Sequence, residues 1–154
     1  MKKGLTIVVL ALMALGLTGC KYEEPAKNAL KTTTLDLTVL HEDWEYDKES
    51  MQFYYHFDRE ELTEKVYDYG NWTICREMNK GYKDAYQVAL PMSVFYTDTF
   101  PDNSVAYYTQ HIDYRMGVGW VEIQVTNSDY WYPTTPSGKL INPEDMFFRL
   151  QLIY

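Results

Sequence analysis

Val121-Glu122-Ile123-Gln124-Val125 sets a β-branched apolar residue at every second position, with a polar residue between. A period of two means that one side of an extended chain is apolar and the other is wet, the pattern of a strand lying on a core. The same period recurs along the chain. Leu35, Leu37 and Val39 alternate with Asp36 and Thr38, and Phe53, Tyr55 and Phe57 with Gln52, Tyr54 and His56. Phe148, Leu150, Leu152 and Tyr154 alternate with Arg149 and Gln151. Turn formers separate these runs: Asp47 to Ser50, Gly70-Asn71, Asn79-Lys80-Gly81, Pro101-Asp102-Asn103, Met116-Gly117, Pro136-Ser137-Gly138 and Asn142-Pro143. Each supplies a kink or a positive φ that a strand cannot. The expected strands are about seven, over 33–40, 51–57, 72–78, 84–90, 104–114, 118–127 and 146–154. Short strands with frequent turns predict an all-β, Ig-like sandwich of two sheets, a closed barrel being the competing architecture. One helical turn is expected over 58–67, where Asp58 to Glu61 reads as a capping box, Leu62 and Val66 are four apart, and Gly70 ends the segment.

The N-terminus obeys a different logic. Lys2 and Lys3 precede an apolar run, Leu5 to Leu17, of 13 residues. That is well short of the roughly 20 needed to span a bilayer, so the run reads as the apolar region of a signal peptide. Leu17-Thr18-Gly19-Cys20 then resembles the cleavage and lipidation box of a bacterial lipoprotein. Residues 1–19 are expected to be removed, Cys20 to carry acyl chains, and 20–31 to form a tether. Each buried methylene contributes about 0.8 kcal/mol, so two or three chains would hold the protein on a membrane without a spanning helix. Lys21-Tyr22-Glu23-Glu24-Pro25 resembles the acidic export signal of Bacteroidota lipoproteins, which implies an outer-membrane address facing the cell exterior.

Composition bounds the rest. Of 154 residues, 135 remain after residue 19, enough for one domain over 32–154 with a real core. Losing Lys2 and Lys3 takes the formal charge from −8 to −10, and so acidic a chain is repelled by phosphate backbones; nucleic acid is not an expected partner. With Cys20 acylated, Cys75 has no intrachain partner and reads as a buried thiol in the strand around it.

Trp44, Phe53-Tyr54-Tyr55, Lys65-Val66, Ala85 to Pro91, Gly117-Val118-Gly119-Trp120 and Phe147-Phe148-Arg149 together resemble a family of uncharacterised small Bacteroidota lipoproteins, across nearly all the mature chain. The resemblance implies the same address and an all-β fold. It implies no activity.

Patterns that carry chemistry are sparse. His56-x-Asp58 and His111-x-Asp113 each place an imidazole and a carboxylate on one strand face, and if those strands were neighbours they would offer a mixed nitrogen and oxygen metal site or the core of a metal-dependent hydrolase. Asp43, Glu45 and Asp47 alternate like the opening of a calcium loop, but Lys48 replaces the sharp-turn glycine and Tyr54 the bidentate glutamate. Gly117-x-Gly119 precedes a strand and reads as a hairpin turn, not a phosphate loop. No catalytic residue, metal ligand or cofactor is assigned from these patterns.

The chain instead has an aromatic surplus of 15 Tyr, 6 Phe and 4 Trp. Strand parity puts Trp120 opposite Val121 and Ile123, and Tyr54 and Tyr107 outward; Tyr130-Trp131-Tyr132 falls in a run without alternation. Rings flanked by Asp, Asn and Thr suit the CH faces and hydroxyls of sugars, and they also suit protein interfaces. The expectation is a non-catalytic binding or accessory module using Trp120, Tyr130, Trp131 and Tyr132 for carbohydrate, or a structural subunit docking another envelope protein.

Overall fold

The computed structural model describes residues 30–99, 103–128, 131–135 and 137–154. The signal segment, Cys20, the first part of the tether and Tyr130 lie outside them. Among the described residues no helix is long and apolar enough to cross a membrane. Nine strands among the described residues form two antiparallel sheets: β1 Thr32–Val39, β2 Glu45–Asp47, β3 Gln52–Asp58, β4 Asn71–Met78, β5 Tyr86–Ala89, β6 Met92–Thr99, β7 Val105–Gly117, β8 Trp120–Asn127 and β9 Met146–Ile153. One sheet has the order β1-β9-β4-β5, the other β2-β3-β8-β7-β6. The architecture is the expected two-sheet sandwich, with two strands more than the sequence suggests. β2 is three residues of an acidic segment too short to show a period, and β6 is an edge strand whose inward positions, Met92, Val94, Tyr96 and Asp98, are only half-buried and turn polar toward its end.

Parity holds in the centre of both sheets. On β8, Val121, Ile123 and Val125 are fully buried while Trp120, Glu122, Gln124 and Thr126 face outward. They share one core with Phe53, Phe57 and Ile112 of the same sheet and with Leu37, Val39, Ile74, Phe148, Leu150 and Leu152 of the other. Gly117 and Gly119 bound the β7–β8 hairpin as expected, and Gly119 takes the positive φ that the two-residue turn requires.

Two expectations are corrected. The helix, α1, covers Glu64–Tyr69 and begins six residues later than predicted. Asp58 is still paired in β3, and the cap that forms is Thr63, whose hydroxyl accepts from the Val66 backbone N–H at 3.3 Å. Leu62 and Val66 are buried, so their spacing marked the right face of the wrong span. Gly70 closes α1, where a Cβ would sit 2.5 Å from the Val66 carbonyl oxygen. Cys75 is half-buried on the outer face of β4 and is not a core thiol; its neighbours in sequence, Ile74 and Arg76, take the inner face.

Candidate functional site

β7 and β8 end, on the side away from their hairpin, in residues that break the apolar series. Inward positions run Ile112, Gln110, Tyr108 along β7 and Val125, Asn127 along β8. Gln110 pairs with Asn127 in register, and its amide Nε2 donates to Asn127 Oδ1 at 3.3 Å. On the neighbouring edge strand, Tyr96 sits across from Tyr108, their rings stacked at 5.6 Å between centroids. From the other sheet Arg76 points into the same space. Arg76, Gln110 and Asn127 are the buried polar side chains among the described residues, and all three gather at this end.

Between the sheets here is a cleft of about 310 Å³. Tyr96, Asp98, Tyr108, Gln110 and Asn127 form its floor, and Tyr132-Pro133 and Ile141 to Glu144 its rim. That volume is at the lower end of the range of small-molecule sites. The rim is fixed from below: Trp44 Nε1 donates to the Glu144 carbonyl at 3.2 Å, the His41 backbone N–H donates to Asp145 Oδ1 at 2.7 Å, and Asn142 Nδ2 donates to the His41 carbonyl at 2.8 Å.

Hydrogen bonding in the cleft is lopsided. Glu144 Oε1 accepts from Arg76 Nη2 at 2.6 Å and from the Tyr96 hydroxyl at 3.2 Å. The Tyr108 hydroxyl lies beside the Asp98 carboxylate. Burial pushes the Tyr108 hydroxyl up to about 12, with the Asp98 charge adding to the effect. Burial also raises Tyr96, against the lowering influence of Arg76. Both tyrosines therefore stay protonated, Tyr96 donating to Glu144 and Tyr108 lying beside the charge of Asp98. Gln110 is only 7% exposed, yet its Oε1 has no partner among the described residues, and neither has Arg76 Nη1. An unmet buried polar atom costs about 1 to 3 kcal/mol, so a cleft that keeps one has a place for something to satisfy it.

The residues expected to bind are not brought together as a set. Trp120 opens β8 and Asn127 closes it, seven steps or roughly 23 Å of strand apart. Trp120 lies half-buried on the outer face, stacked on His56 at 5.4 Å, with its indole where a Cβ on Gly117 would fall. Tyr132 is buried: it meets Phe53 and Tyr46 edge-on and donates its hydroxyl to the Met51 carbonyl. Its loop has no alternation because it folds back across the open end of the core. Trp131 is half-buried against Tyr108, 5.0 Å between ring centres. Trp131 and Tyr132 thus reach the cleft end and Trp120 does not; Tyr130 lies outside the described residues. A further aromatic pair, Phe95 and Tyr107, stacks on the outer face at 65% and 67% exposure.

Gln110, Asn127, Arg76 and Tyr96 were missed in the sequence. The signal was parity itself, since Gln110 is in phase with Ile112, Asn127 with Val125 and Arg76 with Ile74. A polar residue in phase with a core marks a buried polar site.

The other patterns separate. His56 is on β3 and His111 on β7, with β8 between, so the two His-x-Asp pairs are not neighbours. His56 lies 3.5 Å from Asp58 and 3.9 Å from Glu122, while His111 Nδ1 hydrogen-bonds the Ser93 hydroxyl at 2.7 Å. Among the described residues no three His, Cys, Asp or Glu side chains converge to hold a metal ion. Asp43, Glu45 and Asp47 are used locally. Asp47 accepts from the Ser50 hydroxyl and the Glu49 N–H, which holds its carboxyl below the usual value, and Glu45 accepts from the Tyr54 hydroxyl at 2.7 Å. Comparison with family models, with curated proteins and with solved structures gives no match to this chain.

Proposed function

We propose that this chain is a lipid-anchored, non-catalytic binding module of the cell envelope that takes a carbohydrate in the cleft between its sheets. The address rests on the sequence: the basic, apolar and Leu-Thr-Gly-Cys segments in order, followed by an acidic tether that suits export to the outer face of the outer membrane. The single observation that carries the binding reading is Gln110, a buried side chain lining an open cleft with an amide atom unmet. Gln110 and Asn127 are hydrogen-bonded amide to amide, and turning both over exchanges donor for acceptor at the free position, as a hydroxyl partner requires. Tyr96 and Tyr108 supply ring surface beside it.

A glycan array probed with the full chain in mild detergent tests this. Retention of a subset of glycans, weakened about tenfold or more by Tyr108→Ala, is the expected result. Failure to retain any glycan overturns the reading. A second reading, docking of another envelope protein, is favoured by the exposed Phe95–Tyr107 pair beside the open edge of β6. Photo-crosslinking from position 107 in intact cells would then trap one discrete partner.

A further inference from the structure

Within the carbohydrate reading, on which it rests, the polar groups of the cleft select a narrower ligand. Each tyrosine hydroxyl already has a carboxylate beside it: Tyr96 donates to Glu144, and Tyr108 faces Asp98. Arg76 spends one nitrogen on Glu144, and its other terminal nitrogen is buried behind the cleft wall. What faces the open space is mostly acceptor: the second oxygens of Asp98 and Glu144, the hydroxyl lone pairs of Tyr96 and Tyr108, and the free amide atom of Gln110. Charge runs the same way. Two carboxylates line the cleft and one guanidinium backs it, which leaves a net negative charge beside two stacked tyrosine rings. Carboxylates and ring faces both attract a cation. An anionic sugar would meet the carboxylates head-on, and the acidic chain as a whole would repel it.

We infer that the cleft takes an amino sugar with a free ammonium group, the ammonium lodging between Asp98 and the Tyr96–Tyr108 rings and a ring hydroxyl meeting Gln110. Asp98 is half-buried on the edge strand and lines the cleft, whereas Glu144 already accepts from both Arg76 and Tyr96, so Asp98 is the carboxylate better placed to receive a donor from a ligand.

The test compares a glucosamine disaccharide, whose amines are cationic, with its N-acetylated counterpart, whose amides are neutral and bulkier, by calorimetric titration of the full chain in detergent. The expected result is binding of the free amine at least about tenfold tighter, a preference that Asp98→Asn abolishes. Salt provides a second readout that needs no variant: raising ionic strength should weaken the amine and leave the acetylated sugar unchanged. Equal binding of the two probes, or tighter binding of the acetylated form, overturns this inference and leaves the carbohydrate reading standing. If neither probe binds and the array is also blank, both fall together.

Discussion

At one end of the space between the sheets, Val121 and Phe57 share a dry core with Leu152, Leu62 and Val66, under the cover of α1. At the other, six residues further along β8, Val125 gives way to Asn127 and, beside it on β7, Ile112 gives way to Gln110, and the cover comes from Tyr132, Pro133 and Ile141 to Glu144. Strand geometry is the same at both ends, so the backbone does not impose the difference. Burying an amide or a guanidinium gains little for folding and risks an unmet group, whereas an apolar residue of similar size would be at least as stable. The dry end is what the fold needs, and the polar end is placed on top of it. That contrast makes the cleft a functional candidate, and it yields predictions that differ sharply between the two ends.

The largest expected effect is at the dry end. Ile123 is fully buried in the middle of β8, and Ile123→Ala should cost about 3 kcal/mol of unfolding free energy through lost transfer energy and the cavity left behind. Urea melts measure it. A loss below about 1 kcal/mol would mean that the apolar series is not the source of stability, and the contrast between the ends would collapse.

Next comes the Arg76–Glu144 pair, which is asymmetric because Arg76 is buried and Glu144 is mostly exposed. Glu144→Ala strands a buried charge and should destabilise by about 2 kcal/mol, less than a fully buried pair because water still reaches the site. Arg76→Met removes the buried charge and leaves only an exposed carboxylate, so its melt should stay within about 1 kcal/mol of wild type. Equal losses from both variants would show that the pair acts as a surface bridge and not as a buried cation with a lid.

Tyr108 offers a titration. Its folded value, raised to about 12, exceeds its ordinary value of 10.0, so folding favours the neutral hydroxyl. The associated stability is whole below pH 10 and is lost as pH climbs towards 12. Melting temperature should therefore fall through that window, and Tyr108→Phe should flatten the fall. A tyrosinate absorbance titration with every tyrosine ionising near 10 would contradict it.

The sandwich was legible wherever one face is buried and the other wet, as on β3, β8 and β9, because period two is then forced by burial. It was illegible where that condition fails. β2 is too short to show a period, β6 is an edge strand whose inner face carries Tyr96 and Asp98, and the stretch around Tyr132 covers the core without strand alternation. The helix was seen by its apolar spacing but misplaced, because Asp58 can cap a helix or close a strand and only the pairing with Trp120 decides which. As for the site, sequence reasoning looked for exposed rings, while the cleft is built from polar residues in phase with the core. Gln110 and Asn127 meet only when β7 and β8 pair, and Arg76 comes from the other sheet.

The smallest effect on folding is the most discriminating. Gln110→Leu alone leaves Asn127 buried without its amide partner and should cost about 1 to 2 kcal/mol. Adding Asn127→Leu removes the stranded amide and fills the space with a side chain of comparable size, which should bring stability back to within about 1 kcal/mol of wild type. The double variant would then keep the sandwich with its central amide pair replaced by apolar side chains. If the polar end serves the fold, the double variant melts as early as the single one. If it serves a ligand, the variant folds normally and no longer binds on the glycan array, and stability and binding part company at the same two residues.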